Sequence, residues 1–271
     1  DTATKTCNAG GDGFDAPVPC GADETCLNGT CLTLCELAEA TPSSVGCSFF
    51  AQRMDNYNNY ADDSLIVGNT SKIKAASVQL YLTTSGTNIE VAQGAPVDIP
   101  PGMTKTFPLS ETPFSKASGL RQGGSYRVQS TIPVVAYQHS PIGAQATNDA
   151  SMLLPEHALK QDYVVASYID GLGFLPSYFN VLAIADNTTV KWTPPQATLG
   201  GARVPDVAAG QTGQVLMNRF DTMEVRAPDG GDVSGTFITA DKPIWVVGAV
   251  NCVNVPTNVT FCDHIEEQML P

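Results

Sequence analysis

Eight cysteines stand near the two ends of this 271-residue chain, and its long middle has none. Six of them fall within the first 47 residues, where Gly, Asp, Pro and Asn dominate and apolar residues are too few for a core. Disulfides must therefore stabilise this segment, and disulfides persist in an oxidising compartment. The cysteines are Cys7, Cys20, Cys26, Cys31, Cys35, Cys47, Cys252 and Cys262.

The pairing of these cysteines is only partly readable, because six cysteines allow fifteen connectivities. Cys252 and Cys262 are the first choice for a bridge, since they close a short loop in which Pro256 and Asn residues suit a turn. In the chain-entropy model such a loop contributes roughly 3 kcal/mol. Cys35 with Cys47 is the second choice. Free thiols and a zinc site are the alternatives, but the sequence has no CxxC pair and no histidine among the leading cysteines.

The composition allows a substantial core and restricts the partners. Hydrophobic residues make up 42% and charged residues 15%, which does not suit a coiled coil. Acidic residues outnumber basic ones by 27 to 14, so nucleic acid and anionic lipid would be repelled, and we attribute the acidity to solubility. No apolar run approaches the roughly 20 residues that span a bilayer. The chain shows no signal peptide at Asp1, and we interpret it as a processed, secreted chain.

Past Cys47 the sequence has almost no helical periodicity. Short β-branched or aromatic runs are separated by Gly, Pro, Asn and Asp clusters, which is the pattern of strands and turns. The predicted strands of the first half are 64–67, 76–83, 89–91, 104–109, 125–129 and 133–138. Those of the second half are 163–168, 179–184, 189–193, 213–217, 222–226, 236–239 and 244–250. Such spacing predicts antiparallel β-sandwiches.

The second half of the strand region echoes the first half in the same order. Three pairs of segments carry the echo: "VDIPPGMTKTFPL" around Gly102 and "VPDVAAGQTGQVLM" around Gly210, "SYRVQSTIPVVAY" and "GTFITADKPIWVV" with Pro133 answering Pro243, and "MLLP" ending at Pro155 and "QMLP" ending at Pro271. The sequence therefore predicts tandem β-sandwich domains at 48–150 and 151–271, preceded by a disulfide-rich leader at 1–47. Because "LLPEHALKQDYVVASY" continues past Pro155, the echo also predicts that the natural chain continues past Pro271.

The residues from Cys47 to Pro271, most of the chain, resemble a known family, and several segments of the second half carry the resemblance most clearly. They are "YVVASY", "FNVLAIADNTTVKW", "VAAGQTGQVL", "DVSGTFITADKPIWVVGAVNCVNVP" and "CDHIEEQMLP". In this order they resemble the IgGFc-binding protein N-terminal domain, which occurs in animal mucus proteins and in bacterial surface proteins, notably of myxobacteria. The leader segment "CLNGTCLTLCELAEATPSSVGC" is similar to the one that precedes this domain in bacterial members. The resemblance implies an extracellular, adhesive or matrix-building role, and its motif falls on Asp263, His264, Glu267 and Gln268.

The three histidines are the residues on which a hydrolase would draw. His139 and His157 are interpreted as structural or surface residues. His264 is adjacent to Asp263 and could serve acid–base chemistry, but we favour a hydrogen bond to backbone at an inter-domain turn. No HExxH, GxSxG or Walker motif occurs. The sequence therefore predicts no catalytic residues and no enzyme.

Calcium is the weaker cofactor hypothesis, and otherwise no cofactor is expected. It rests on three aspartate pairs, none of which has the ligand spacing of an EF-hand loop. Asp-Gly turns or solvated loops explain them more simply. The pairs are Asp12 and Asp15, Asp62 and Asp63, and Asp229 and Asp232.

These observations lead to three functional hypotheses. The first is a secreted or cell-surface module, of bacterial type, that binds an extracellular protein or glycoprotein through loops and sheet edges. The second is a structural spacer or a filament subunit that associates with itself. The third is a secreted hydrolase that uses His264. Missing catalytic motifs place the third last, and nothing in the sequence names a ligand.

Overall fold

A computed structural model describes residues 3–6, 13–21, 24–57, 62–110, 117–142, 147–256 and 258–271. Over these residues the chain is nearly all-β, and its sheets are almost entirely antiparallel, which confirms the predicted fold class. Its one α-helix in this part of the chain is α1, Leu34–Glu39, and a 3-10 turn follows at Glu156–Ala158. None of the described helices has the length and apolarity of a membrane span.

The leader contains two small hairpins and α1, and none of its described residues before Gly46 is buried. Its strands are β1 (Ala3–Thr4), β2 (Val18–Pro19), β3 (Glu24–Leu27) and β4 (Thr30–Thr33). Asn28 and Gly29, both with positive φ, form the turn between β3 and β4, a conformation that these two residue types favour. A capping box between Thr33 and Glu36 starts α1. With no buried core, the leader depends on disulfides.

Two disulfides hold the leader. Cys20 bonds to Cys31, which fastens β4 to the segment after β2, and Cys35 bonds to Cys47, which fastens α1 to the next strand. Among the described residues Cys26 has no disulfide partner, and Cys7 lies outside them.

The first β-unit (residues 46–152) is built around one long bent strand. Its strands are β5 (Gly46–Ala51), β6 (Asp63–Asn69), β7 (Ala76–Thr83), β8 (Glu90–Ala92), β9 (Val97–Ile99), β10 (Thr104–Leu109), β12 (Ser125–Ser140) and β13 (Asp149–Met152). The first half of β12 pairs with β5 and β7, and its second half pairs with β6 and β13. The register of the β5 pairing shifts between Gln129 and Val134, which marks an irregularity in β12 at the point where its partners change. The predicted strands 125–129 and 133–138 are therefore one strand.

The second β-unit (residues 162–268) is a sandwich of two sheets. Its strands are β14 (Asp162–Val164), β15 (Ser177–Ala183), β16 (Thr188–Thr193), β17 (Gly201–Ala202), β18 (Gly213–Met217), β19 (Thr222–Arg226), β20 (Phe237–Ala240), β21 (Ile244–Val253) and β22 (Asp263–Gln268). One sheet has the order β14-β20-β16-β18. The other, called the central sheet, has the order β17-β11-β19-β15-β21-β22, and its β11 (Ser118–Arg121) comes from the connection between β10 and β12.

Strands of the two units pair in a matching order. In the second unit β15 pairs with β19 and β21, just as in the first unit β6 pairs with β10 and the second half of β12. Likewise β16 pairs with β18 and β20, just as β7 pairs with β9 and the first half of β12. By this pairing Gly102 corresponds to Phe220, and their φ angles are 70° and 72°. The alignment of Gly102 with Gly210 was wrong, because Gly210 precedes β18, the counterpart of β9. The division at 48–150 and 151–271 stays a prediction, and β11 crosses it.

The middle strands of the central sheet, β19, β15 and β21, are buried on both faces. Phe179 and Val181 of β15 contribute to the core between the two sheets of the second unit, around Trp192. Tyr178 and Leu182, which alternate with them, contribute to the core of the first unit. The two units therefore share a hydrophobic core and are not independently packed domains.

Candidate functional site

The segment between β21 and β22 is a loop closed by the third disulfide. Cys252 bonds to Cys262, with 5.2 Å between their Cα atoms. Next to the bridge, Val253 pairs with Asp263 across the hairpin. The loop thus leaves a rigid double strand and is fixed at its base.

This loop presents apolar side chains to solvent. Val255 is 53% exposed, Val259 is 49% exposed and Phe261 is 95% exposed. Phe261 has a φ of 87°, which a bulky residue rarely adopts, and the neighbouring disulfide fixes the chain at this point. Single exposed apolar residues are ordinary on a protein surface, but several that lie together often mark an interaction site. We call Val255, Val259 and Phe261 the apolar tip.

His264 lies beneath the loop and is only 1% exposed. Its Nδ1 is 3.3 Å from the backbone oxygen of Asn251, and its Nε2 is 3.4 Å from Glu266 Oε2. Burial lowers the pKa of His264, but the hydrogen bond and the charge of Glu266 outweigh burial, and the pKa is raised overall. The ring ties the two flanks of the loop together. Because the imidazole is enclosed, a dissolved substrate does not reach it, which argues against the hydrolase hypothesis.

Glu266 and the motif residue Gln268 join β22 to β13 of the first unit. The Glu266 N–H donates to Asp149 Oδ2 at 2.9 Å, and the Gln268 N–H donates to Ser151 Oγ at 2.7 Å. In return, Gln268 Oε1 accepts from the Leu154 N–H at 2.7 Å. Side chains thereby satisfy backbone groups along the edge of β22.

The carboxyl groups of β22, of which Asp263 and Glu267 belong to the motif, lie around this edge. Asp263 Oδ1 accepts the His264 N–H at 3.1 Å. Burial raises the pKa of Glu266, whose carboxyl also accepts from Gln138 at 3.3 Å, and burial likewise raises the pKa of Glu267. We call this contact between β13 and β22, with His264 and Gln138, the polar junction.

Replacing Ser151 with Ala tests the polar junction. The change removes the acceptor of the Gln268 N–H, and a buried donor left without a partner costs about 1–3 kcal/mol. We expect urea unfolding to show a loss of that size, whereas Ser48→Ala, which removes a part-buried hydroxyl bonded to Glu156, should cost less. Equal losses would show that the junction has no special weight.

A second buried cluster of polar side chains lies between the units. Arg226 on β19 contacts Glu224 through Nε and Asp55 through Nη2, and both carboxyl groups are fully buried. The Tyr178 hydroxyl donates to the Asp55 backbone oxygen at 2.6 Å. Burial raises the pKa of Glu224 to about 8, although the Arg226 charge opposes this. Burial lowers the pKa of Arg226, but the two carboxyl groups outweigh it and the pKa is raised.

Asp63 is a further buried carboxyl group at this interface. It accepts the Met54 N–H at 2.8 Å and the Ser140 hydroxyl at 3.0 Å. Burial, followed by the negative charge of Glu266, raises its pKa to about 7.

The structure spreads the other predicted residues apart. His139 on β12 and His157 in the 3-10 turn are half-buried. Of the aspartates considered for calcium, Asp63 accepts the hydrogen bonds given above, and Asp232 accepts the Ser234 N–H at 2.8 Å. Asp229 and Asp15 are exposed, and Asp12 lies outside the described residues. Within the described ranges, one group of side chains is close enough to share a metal ion, and it consists of Cys20, Glu24 and Cys31. Both of its sulfurs are bonded to each other.

Sequence reasoning missed the cluster of Asp55, Glu224 and Arg226. A signal was present in "TMEVR", where Met and Val alternate with Glu and Arg. Such alternation usually indicates a strand with one solvated face. Here the polar face is turned towards the first unit and is buried.

A model of the family described as IgGFc binding protein matches residues 149–271. The matched part runs from β13 past the end of β22 and contains the loop, Arg226 and all of the polar junction except Gln138. The chain is similar to this family over these residues, which supports the resemblance for the second half of the range from Cys47 to Pro271 and not for its first half. No curated protein and no solved structure matches the chain.

Proposed function

We propose that this chain is an extracellular protein-binding module that contacts its partner through the apolar tip. The disulfides fit an oxidising environment, and the family that matches residues 149–271 is named for binding the Fc part of immunoglobulin G. The observation that carries the proposal is the disulfide-closed loop, since its Phe261 is 95% exposed. Secretion, a place on a bacterial surface, an adhesive role and tandem repetition of the domain belong to the same proposal.

The loop is suited to binding because its base is fixed in advance. Ordering a flexible loop on binding costs free energy, and a bridge that fixes the loop beforehand reduces this cost. Exposed aromatic residues that enter a pocket often dominate the binding energy of an interface. A net charge of −13 favours a partner whose surface around that pocket is neutral or basic.

Immobilised immunoglobulin Fc is the first probe, and biosensor measurement of Phe261→Ser is the test. We expect saturable binding that weakens about thirty-fold in the variant, because an aromatic anchor contributes about 2 kcal/mol or more. Phe174→Ser is the matched control, since Phe174 is also in the second unit and is 64% exposed. This variant should bind Fc as tightly as the parent chain does. Equal binding by the two variants, or no binding of Fc by the parent chain, would contradict this form of the proposal.

A structural role is the second candidate. The shared core of the two units favours it, because a continuous core makes a stiff element. Sedimentation velocity of the purified chain distinguishes the two roles, since a filament subunit should form concentration-dependent polymers and a binding module should remain dispersed.

A further inference from the structure

The outer edge of β10 is open. β10 ends its row of strands, and no described strand pairs with its far side. Thr104, Lys105 and Thr106 along this edge are exposed. Open edges offer backbone hydrogen bonds to another strand.

The corresponding edge in the second unit is filled. There β11 pairs antiparallel with β19, with Gly119 opposite Glu224, Leu120 opposite Met223 and Arg121 opposite Thr222. The N–H of Arg226 donates to Ser118 Oγ at 3.0 Å, which continues the contact beyond the ladder. A strand that belongs to the first unit by sequence thus completes the sheet of the second.

The two edges begin with the same hydrogen-bond pattern. Asn69 N–H donates to Met103 O at 2.9 Å, and Gly102 N–H donates to Asn69 O at 3.1 Å. In the second unit, Ala183 N–H donates to Asp221 O at 3.1 Å, and Phe220 N–H donates to Ala183 O at 2.7 Å. Thr104 therefore corresponds to Thr222, Lys105 to Met223 and Thr106 to Glu224.

Alternation along β10 shows which groups are available. The backbone C=O of Met103 is bonded to β6. Backbone groups alternate in direction along an antiparallel strand, so the N–H and C=O of Lys105 also point towards β6, and those of Thr104 and Thr106 point outward. Pro108, the counterpart of Arg226, has no N–H to offer. Lys and Pro on an edge limit its pairing with other strands, so an incoming strand must pair mainly through the outward backbone groups of Thr104 and Thr106.

We propose that the outer edge of β10 accepts a strand of the β11 kind that another β-unit of this type donates. The donated strand would run antiparallel to β10, with the residues equivalent to Gly119, Leu120 and Arg121 opposite Thr106, Lys105 and Thr104. It needs small residues before one apolar position, as Ser118 and Gly119 precede Leu120 in "SGLR", so that it can lie close to the edge. The proposal is independent of the apolar tip, which lies on the second unit.

Disulfide trapping tests the proposed register. Lys105→Cys is equilibrated in a glutathione buffer with peptides of sequence 117–124 that carry one cysteine at the position of Gly119, Leu120 or Arg121. We expect the Leu120→Cys peptide to be captured at least about five-fold more than the other two, because a slip of one residue turns the thiols to opposite faces. Ile73→Cys, at an exposed loop position, should capture the three peptides equally, and the parent chain gives the background of its own thiols.

Hydrogen exchange gives a second measurement on the unmodified chain. A saturating concentration of the unsubstituted 117–124 peptide should slow hydrogen exchange at the Thr104 and Thr106 amides. In the Thr106→Pro chain, the same peptide should no longer protect the Thr104 amide. Equal capture of all three peptides by Lys105→Cys would overturn the proposal. Protection at 222–226 in place of Thr104 and Thr106 would also overturn it, because the peptide would then have displaced β11.

Discussion

Replacing Arg226 with Met should lower the free energy of unfolding by about 3–5 kcal/mol, the cost of breaking a buried ion pair by removing one partner. Arg226 holds the carboxyl groups of Asp55 and Glu224, and neither carboxyl has access to solvent. Met keeps much of the volume of the side chain and removes its charge. Urea unfolding at neutral pH measures the loss.

Two further variants show whether charge is the cause. Arg226→Met combined with Asp55→Asn and Glu224→Gln should recover a large part of the stability, because the buried groups are then neutral. Arg203→Met is the matched control, since Arg203 is exposed and donates to the Leu120 backbone oxygen, and it should cost less than about 1.5 kcal/mol. If the triple variant were less stable than Arg226→Met, packing and not charge would explain the effect.

The protein should be more stable at pH 5 than at pH 8. Burial raises the pKa of Asp63 from 3.8 to about 7 and that of Glu224 from 4.5 to about 8. A raised folded-state pKa means that the folded protein holds the proton more tightly than the unfolded chain does. This stability is complete below pH 4 and is lost as the pH rises through 7 and 8. For Asp63 alone it amounts to at most about 4 kcal/mol.

Other groups at the interface act in the same direction. The pKa of Glu266 is raised by burial, and that of His264 is raised because Glu266 outweighs burial. Unfolding by urea at pH 5, 6, 7 and 8 gives the curve, and Asp63→Asn should flatten it between pH 5 and 7. Stability that increases over this range would show that the carboxyl groups are ionised in the folded protein at no cost.

The strands were predictable where the sequence pattern arises from local burial. The bounds of Ala76–Thr83, Gly213–Met217 and Thr222–Arg226 agree with the predicted ranges, because apolar and β-branched residues recur there between turn residues. β22 was missed, since its inward residues His264, Glu266 and Gln268 are polar, and Glu266 and Gln268 are bonded to residues of the first unit that lie far earlier in the chain.

The site was predictable in its covalent part and not in its polar part. Cys252 and Cys262 are close in sequence, so a bridge between them depends little on the rest of the fold. The partners of Arg226 are Glu224, two residues away, and Asp55, which lies 171 residues earlier. No local pattern brings Asp55 to β19, because that meeting depends on how the two units face each other.

The position of β11 has a mechanical consequence. A strand that follows β10 in the first unit is hydrogen-bonded into the central sheet, and Leu120 is inserted into the core of the second unit. If the chain is pulled, the units cannot separate by bending at the connection near Pro155. The β11–β19 hydrogen bonds must first break, so the two units should yield to tension in one event and not in two.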